Sequence, residues 1–314
     1  MFTVLSWNVE NLFTPDAAGR ADFEAKLDAL AAVIAAAEPD AVALQEVGDD
    51  DALEALRIRL GDGWTSAVSA HFDARHAIRV AWLSPRPLTD IAEVTGLPPR
   101  LAPVTITDDG TAITQLGRGA LAVTGTTTGG TEVRAITAHL KSKLLSFPGG
   151  RFDTTDEGER VRYGVYALNR RAAEAAALRD WTTATLAGDW AGEPVVVCGD
   201  LNDTLDAATT QLLLGPPGSQ YGTGGFDRPD RGDAQRLWAT GHWMAAPENW
   251  SRINQGRREL IDHILVSHAM TEQLLEARAI PLDVPSIGLQ PQLAPRAAGQ
   301  APSDHRPVLA RFDL

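Results

Sequence analysis

A chain of 314 residues, 44% hydrophobic and 22% charged, holds enough apolar material for a sizeable core, which excludes a disordered or fibrous protein. Its formal net charge of −13 excludes capture of a polyanion by global charge, so any contact with nucleic acid needs a local basic cleft or metal ions. The one cysteine, Cys198, leaves no intrachain disulfide, and within PVVVCGD it reads as a small core residue.

The N-terminal MFTVLSWNVE has no basic segment followed by a long apolar run, so no signal peptide is expected, and Thr3 to Trp7 reads as a strand. From Asp22 to Ala37, Phe23, Leu27, Leu30 and Ile34 recur at helical spacing before EPD ends the pattern. The apolar stretch from Leu27 to Ala37 is broken by Asp28 and is too short to cross a bilayer. A cytoplasmic, monomeric protein without membrane insertion is the expectation. Ala41 to Leu44 is a second buried strand, and Asp50 to Leu60 a helix closed by GDG. Strands are expected over Ile78 to Leu83, Leu121 to Thr126 and Val133 to Ala138, with TTGG as the hairpin turn between the last two.

Glu157 to Leu186 is the longest helical pattern, with Val161, Val165, Leu168, Ala172 and Ala175 marking its apolar face. Pro194 to Cys198 is a buried strand and Leu205 to Leu214 a short helix stopped by GPPG. Residues 215 to 256 are rich in Gly, Pro and Asp and read as a loop excursion. Leu260 to Val266 and Pro307 to Phe312 are the last strands. No flexible linker separates these elements, so one domain spanning 1–314 is expected. Strands and helices do not alternate strictly, which points to a mixed-sheet α/β sandwich.

Chemistry-bearing residues recur at the mouths of these strands. Asn8 and Glu10 follow TVLSW, Glu46 follows AVALQ, His139 follows VRAITA, and Asp200 and Asn202 follow VVVCG. Asp262 opens IDHILVS, and Asp304 and His305 precede the final strand. Strands of one sheet end near one edge, where loops build sites. Oxygen donors from carboxylates and carboxamides suit Mg²⁺, with Mn²⁺ as a substitute, whereas Zn²⁺ favours His and Cys. A histidine held by a carboxylate can take a proton from water, and His305 with Asp262 is a candidate pair. Each residue alone also has a plain reading. Asp200 and Asn202 would cap or turn the chain, Glu10 and Glu46 would be solvated, and His139 would be a hydrogen-bonded structural histidine. The recurrence favours the site. His71, His76, His242, His263 and His268 read as structural or surface residues.

The segments LSWNVENLF, LQE, AHLKS, CGDLND, LIDHILVS and SDHRPV occur in this order. Together they resemble the motif series of the endonuclease/exonuclease/phosphatase superfamily of metal-dependent phosphohydrolases, over nearly the whole chain. The resemblance implies a four-layer α/β sandwich: two mixed, mainly antiparallel sheets packed face to face and flanked by helices. It implies Glu46 as the main metal ligand, with Asn8, Glu10 and Asp304 holding the metal or its waters. Many relatives have Asp where this chain has Glu10. His139 would contact the scissile phosphate, while Asp200 and Asn202 would position the nucleophile. His305 would be the catalytic histidine, oriented by Asp262; whether His305 or Asp200 takes the proton stays open.

Arg171 in RRAAEAAAL corresponds to an arginine that points to the substrate in such relatives, although Arg170 competes for that place. The plain alternative is a solvent-facing arginine paired with Glu174. Lys141 reads as a surface lysine. The substrate is a phosphate ester, with DNA or RNA ranked first and a small-molecule or lipid head-group phosphate second. A non-catalytic binding module ranks last, because every matched position holds a competent residue. The best nucleic-acid-like patch interleaves Arg228, Arg231, Arg236, Arg252, Arg257 and Arg258 with Trp238, Trp243 and Trp250, where rings would stack on bases.

Overall fold

The computed structural model describes residues 1–72, 77–187, 192–215, 235–287 and 301–314. In chain order the first half contains β1 (Phe2–Leu12), α1 (Arg20–Ala37), β2 (Ala41–Val47), α2 (Asp50–Leu60), β3 (Thr65–Val68), β4 (Arg79–Ser84), β5 (Thr89–Gly96), β6 (Val104–Thr105), β7 (Ala112–Ile113), β8 (Gln115–Thr126) and β9 (Glu132–His139). The second half contains α3 (Glu157–Thr185), β10 (Val195–Asp200), α4 (Ala208–Leu214), β11 (Trp238–Ala239), β12 (Arg252–Asn254), β13 (Arg257–Glu259), β14 (Asp262–Val266), α5 (His268–Thr271), β15 (Leu274–Ala279), β16 (Ser286–Ile287) and β17 (Val308–Phe312).

Two six-stranded sheets form the centre, ordered β15-β17-β1-β2-β4-β3 and β11-β14-β10-β9-β8-β5. Each contains one parallel pair, β1 with β2 and β10 with β9, flanked by antiparallel neighbours. This pattern places the site. Parallel strands finish at the same edge, and an antiparallel neighbour starts there. The ends of β1, β2, β9 and β10 therefore meet the starts of β14 and β17. The expected gathering of strand mouths occurs, but at the edge of two stacked sheets, not of one.

Side-chain alternation builds the layers. Phe2 and Val4 of β1, Ala41 and Ala43 of β2, Val133 and Ala135 of β9, and Val196 and Cys198 of β10 face one another between the sheets. The opposite face of the first sheet packs Leu5, Trp7, Val42 and Leu44 against Phe23, Leu27, Leu30 and Ile34 of α1 and Leu53 and Leu56 of α2. The outer face of the second sheet packs Ile136, Ala138 and Val197 against Ala173, Ala175, Ala177 and Leu178 of α3 and Leu213 of α4. The result is the four-layer α/β sandwich expected from the motif series.

Local signals explain the helix ends. Asp49 accepts a hydrogen bond from the Ala52 N–H at 2.8 Å to cap α2, and Asp156 caps α3 through the Gly158 and Glu159 N–H groups. The helix α1 ends at Glu38, held left-handed at φ 47° just before Pro39.

The long helix departs from expectation. Val161, Val165 and Leu168 are 49%, 47% and 43% exposed, whereas the buried face carries Tyr163, Ala167, Arg171, Ala173, Glu174, Ala175, Leu178 and Thr182. Small residues and paired polar groups make this contact. The cysteine expectation holds: Cys198 is buried, and burial pushes its thiol up to about 12 despite hydrogen bonds with Thr137 and Ser6. No helix among the described residues is long and apolar enough to cross a membrane.

Trp82 ties the sheets together, being fully buried on β4 and donating its Nε1–H to the Leu121 carbonyl of β8 at 2.9 Å. Trp82→Ala is expected to lower unfolding free energy by about 3–5 kcal/mol, the range for a large aromatic truncated in a core, as read by guanidinium denaturation.

Candidate active site

The inter-sheet core changes character toward the edge where the strand ends meet. First comes a polar layer in which Gln45 Nε2 donates to Thr137 Oγ1 at 3.0 Å and to Ser6 Oγ at 3.4 Å. One step further along the same inward-facing rows stand Asn8 on β1, His139 on β9, Asp200 on β10 and Asp262 on β14, all buried. Register aligns the last three, with Asp200 opposite His139 on one side and Asp262 on the other. Gly199 permits the close approach of β9 and β10, because a Cβ there would lie 1.9 Å from the Ala138 carbonyl oxygen and its φ is +139°.

Asn8 joins the two sheets. Its Nδ2 donates to Glu46 Oε1 at 3.1 Å and to Asp200 Oδ2 at 3.0 Å, while its Oδ1 accepts the Glu10 N–H at 3.0 Å. Glu46 also accepts the Asn11 N–H at 3.0 Å. Glu46 lies at an irregularity in β2, where the register shifts between Gln45 and Val47 and φ is 64°. A β-bulge of this kind re-aims a side chain that alternation would turn away. Of the seven described non-glycine residues with positive φ, four (Glu10, Asn11, Glu46 and Asn202) belong to this edge, so backbone strain is concentrated at the site.

His305 Nδ1 lies 2.7 Å from Asp262 Oδ2, and its Nε2 lies 3.9 Å from Asp200 Oδ2. The turn that delivers it is fixed by Ser303, whose Oγ donates to the Asn8 carbonyl at 2.6 Å and accepts the His305 N–H at 3.0 Å. Trp7 Nε1 donates to the His305 carbonyl at 2.9 Å, and the Asp304 N–H reaches Glu10 Oε2 at 3.1 Å. Asn202 donates Nδ2 to the Leu140 carbonyl at 3.0 Å and its N–H to Asp200 Oδ1 at 3.0 Å. His139 Nε2 lies 3.4 Å from Asp200 Oδ2.

Electrostatics divide these groups. Burial, followed by the Asp262 charge, pushes the Asp200 carboxyl up to about 6. Burial opposes the His305 imidazolium, but the Asp262, Asp304 and Asp200 carboxylates outweigh it and push its pKa up to about 10. Burial, then the Arg118 guanidinium, pushes His139 well below the ordinary histidine range, so it is neutral.

Among the described residues, Asp200, Asp262 and His305 are the His/Cys/Asp/Glu group with ligand atoms all within 4.8 Å of one another. Asp262 gives its Oδ2 to the His305 ring, a pairing whose chemistry suits the holding of protons. The half-exposed carboxylates of Glu10, Glu46 and Asp304 lie nearer the mouth and do not form such a trio. Asn8 joins Glu46 to the Glu10 backbone and Glu10 accepts the Asp304 N–H, so the three carboxylates are oxygen donors linked by one network. This set fits a hard divalent cation.

Several expectations are corrected. Arg171 does not face solvent and does not pair with Glu174. Its side chain is 6% exposed, with Nε 3.0 Å from Asp203 Oδ2 and Nη1 3.0 Å from the Lys141 carbonyl. Arg170 makes the Glu174 pair, at 3.0 Å. Lys141 is half-buried, not a surface lysine: its Nζ donates to the Ser142 and Leu144 carbonyls, and burial, then Arg118, pushes it down to about 7. The aromatic patch is largely folded inward. Trp238 and Trp250 are buried and Trp243 is half-buried; Arg306 and Arg258 stack on Trp250. His76, Arg228 and Arg231 lie outside the described residues.

Sequence reasoning missed Ser303, Arg118 and Ser251. Ser303 stands inside SDHRPV, and its place before Asp304 was the available signal. Arg118 donates Nη1 to the Leu140 carbonyl at 2.9 Å beside His139. Buried Ser251 accepts the Ile261 and Asp262 N–H groups on Oγ at 3.1 and 3.2 Å, with no pattern in sequence to mark it.

The family model described as Endonuclease/Exonuclease/phosphatase family matches residues 5–305. The chain belongs to this family. Its members are phosphoester hydrolases, generally metal-dependent. None of the curated proteins compared matches the chain. Among solved structures it is similar to a mannosyl-6-phosphatase of Bacteroides thetaiotaomicron, with TM-score 0.60, 14% identity and full coverage of both chains. It is similar to a truncated TDP2 of Caenorhabditis elegans, with TM-score 0.57, 17% identity and coverage of 99% and 96%. The human Nocturnin catalytic domain with bound sulfate gives TM-score 0.55, 18% identity and coverage of 99% and 93%. Identities this low speak for the fold alone.

Arg171 and Asp203 tie the segments that follow His139 and Asn202. Arg171→Ala leaves a buried carboxylate with Lys143 and Thr209 as remaining partners. A loss of about 3 kcal/mol is expected for breaking such a pair, checked by urea denaturation.

Proposed function

We propose that this protein is a Mg²⁺-dependent phosphoesterase that hydrolyses its ester by in-line attack of water. One arrangement carries the reading: the 2.7 Å His305–Asp262 pair faces Asp200, which shares the Asn8 amide with Glu46. On this reading, proton handling and cation binding would lie side by side at one edge of the sandwich.

Glu46, with Asn8, Glu10 and Asp304, would hold Mg²⁺, or Mn²⁺ in its place. When bound, the ion supplies neutralisation of charge on the phosphoryl group and leaving oxygen. Asp262 holds the ring of His305 so that Nε2 faces Asp200; the pair would orient the water, with Asp200 as the member free to receive its proton at neutral pH. Asn202 fixes the Asp200 carboxylate through its N–H, and neutral His139 meets the scissile phosphate. Arg171 acts behind the site, through Asp203.

For the substrate we favour a small-molecule or head-group phosphate ester. The burial of Trp238 and Trp250 removes two of the three rings on which stacking with nucleic acid rested, and the net charge of −13 gives no compensating field. The nuclease reading retains one observation in its favour, the exposed Arg257 and Arg258 on β13.

The test is hydrolysis of p-nitrophenyl phosphate, bis-p-nitrophenyl phosphate, sugar and inositol phosphates, plasmid, single-stranded DNA and RNA, with Mg²⁺, with Mn²⁺ and with EDTA. Turnover of a small ester is expected, abolished by EDTA and restored by Mg²⁺ or Mn²⁺. His305→Ala should lower kcat by about 10²–10⁴-fold, the usual contribution of a positioned acid–base group. Glu46→Gln should raise the Mg²⁺ concentration needed for activity. Turnover unaffected by EDTA, or undiminished in His305→Ala, would reject the proposal.

A further inference from the structure

Arg252 has no role in the site as described above, yet it stands against its centre. It opens β12 and forms an antiparallel bridge with His305. Residues directly opposite in an antiparallel pair project to the same face. The Arg252 guanidinium therefore leaves the backbone on the side from which His305 reaches toward Asp262 and Asp200. Its charge is felt there: after burial and the charges of Asp262 and His305, Arg252 is the next influence on Asp200, and it is among the cations that reinforce burial in holding His139 neutral.

The backbone of this residue is anchored. The Ser251 carbonyl accepts the Arg306 N–H at 2.7 Å, and Ser251 Oγ holds the Ile261 and Asp262 N–H groups. The head group is not. Arg252 Nη2 lies 3.8 Å from Glu259 Oε2, beyond hydrogen-bonding distance. Among the described residues, Arg252 Nε and Glu259 Oε2 are buried without a hydrogen-bond partner. The side chain is only 17% exposed.

The contrast with other arginines near the site is chemical. Arg171 is bonded to Asp203, Arg118 to the Leu140 carbonyl, and Arg306 to Glu248 while stacked on Trp250. A guanidinium removed from water without acceptors is costly, and its planar donor fork matches two oxygens of a phosphate. A group held at the backbone, with Nε unpartnered and Nη2 only in a long ion pair with Glu259, keeps donor capacity for a further acceptor.

We infer that Arg252 is a substrate-binding residue whose guanidinium grips non-bridging oxygens of the phosphoryl group beside His305. The inference rests on the phosphoesterase reading, and the experiment separates the two. Wild type, Arg252→Ala and Arg252→Lys are compared in turnover of p-nitrophenyl phosphate and bis-p-nitrophenyl phosphate, in inhibition by inorganic phosphate, and in calorimetric titration with inorganic phosphate in Mg²⁺ buffer. Thermal melts verify folding.

For folded Arg252→Ala, kcat/KM should fall about 10²-fold, the scale for removing one donor to a developing oxyanion, and phosphate inhibition should weaken in parallel. Arg252→Lys should recover part of this loss, since it keeps the charge but not the fork. If Arg252→Ala does not fold, Arg252→Lys decides: a drop in kcat/KM with weaker phosphate inhibition supports the inference, and wild-type values overturn it. Folded Arg252→Ala with wild-type kcat/KM and phosphate inhibition overturns it outright. If the wild type turns over neither ester, the phosphoesterase reading is in question and calorimetry judges Arg252. Phosphate bound by wild type but not by Arg252→Ala supports the grip; equal binding, or none by wild type, overturns it.

Discussion

A single carboxamide holds this site together. The Asn8 amide nitrogen is shared between a carboxylate of the first sheet, Glu46, and one of the second, Asp200. Two buried or half-buried carboxylates converging on one point repel each other, and a neutral donor that both can accept from lowers that cost without adding charge. The Asn8 carbonyl oxygen meanwhile holds the Glu10 backbone, and its main-chain carbonyl accepts from Ser303 in the turn before His305. The groups proposed to bind the cation and to handle protons thus depend on the orientation of one side chain. An aspartate at this position would supply a third negative charge where a donor is needed.

That carboxamide works because the sheets deliver it. Each sheet has one parallel pair inside antiparallel neighbours, so six strand ends or starts converge at one edge. The inward-facing rows carry apolar residues in the middle, then Ser6, Gln45, Thr137 and Cys198, then the site. Polar character increases toward the mouth, so the buried carboxylates rest on a hydrogen-bonding layer and not directly on hydrocarbon. Alternation alone would point Glu46 toward the α1 and α2 side, and the bulge at φ 64° corrects this at the expense of local backbone strain.

Much of this was legible in the sequence, for a physical reason. The strands that carry the site are short apolar runs that stop at a carboxylate, amide or imidazole, and both signals survive without structure. Edge strands were not legible: β5 is exposed along most of its length, so TDIAEVTG lacks the burial that writes a pattern. The buried face of α3 was misread because hydrophobic periodicity presumes hydrocarbon contacts. Here Arg171 and Glu174 are buried, satisfied by Asp203, Arg170 and backbone N–H groups, while valines face solvent. Trp238 and Trp250 were misread in the opposite sense, as aromatics in a Gly- and Pro-rich stretch can pack inward as readily as outward. Ser251 and Ser303 act through backbone partners distant in sequence, which composition cannot reveal.

The pairing of β1 with β17 sets Phe2 opposite Phe312, and the Ser303–Asn8 hydrogen bond closes a separation of 295 residues. The central strand of the first sheet thus waits for a partner from the far end of the sequence. Contacts of such range are slow to form, since the loop entropy comes before the reward. An N-terminal fragment lacking residues 303–314 would carry Glu46, His139, Asp200 and Asp262 but not the histidine that Asp262 holds. The buried Asp262 carboxylate therefore gains its imidazole partner only when the two ends of the chain have met.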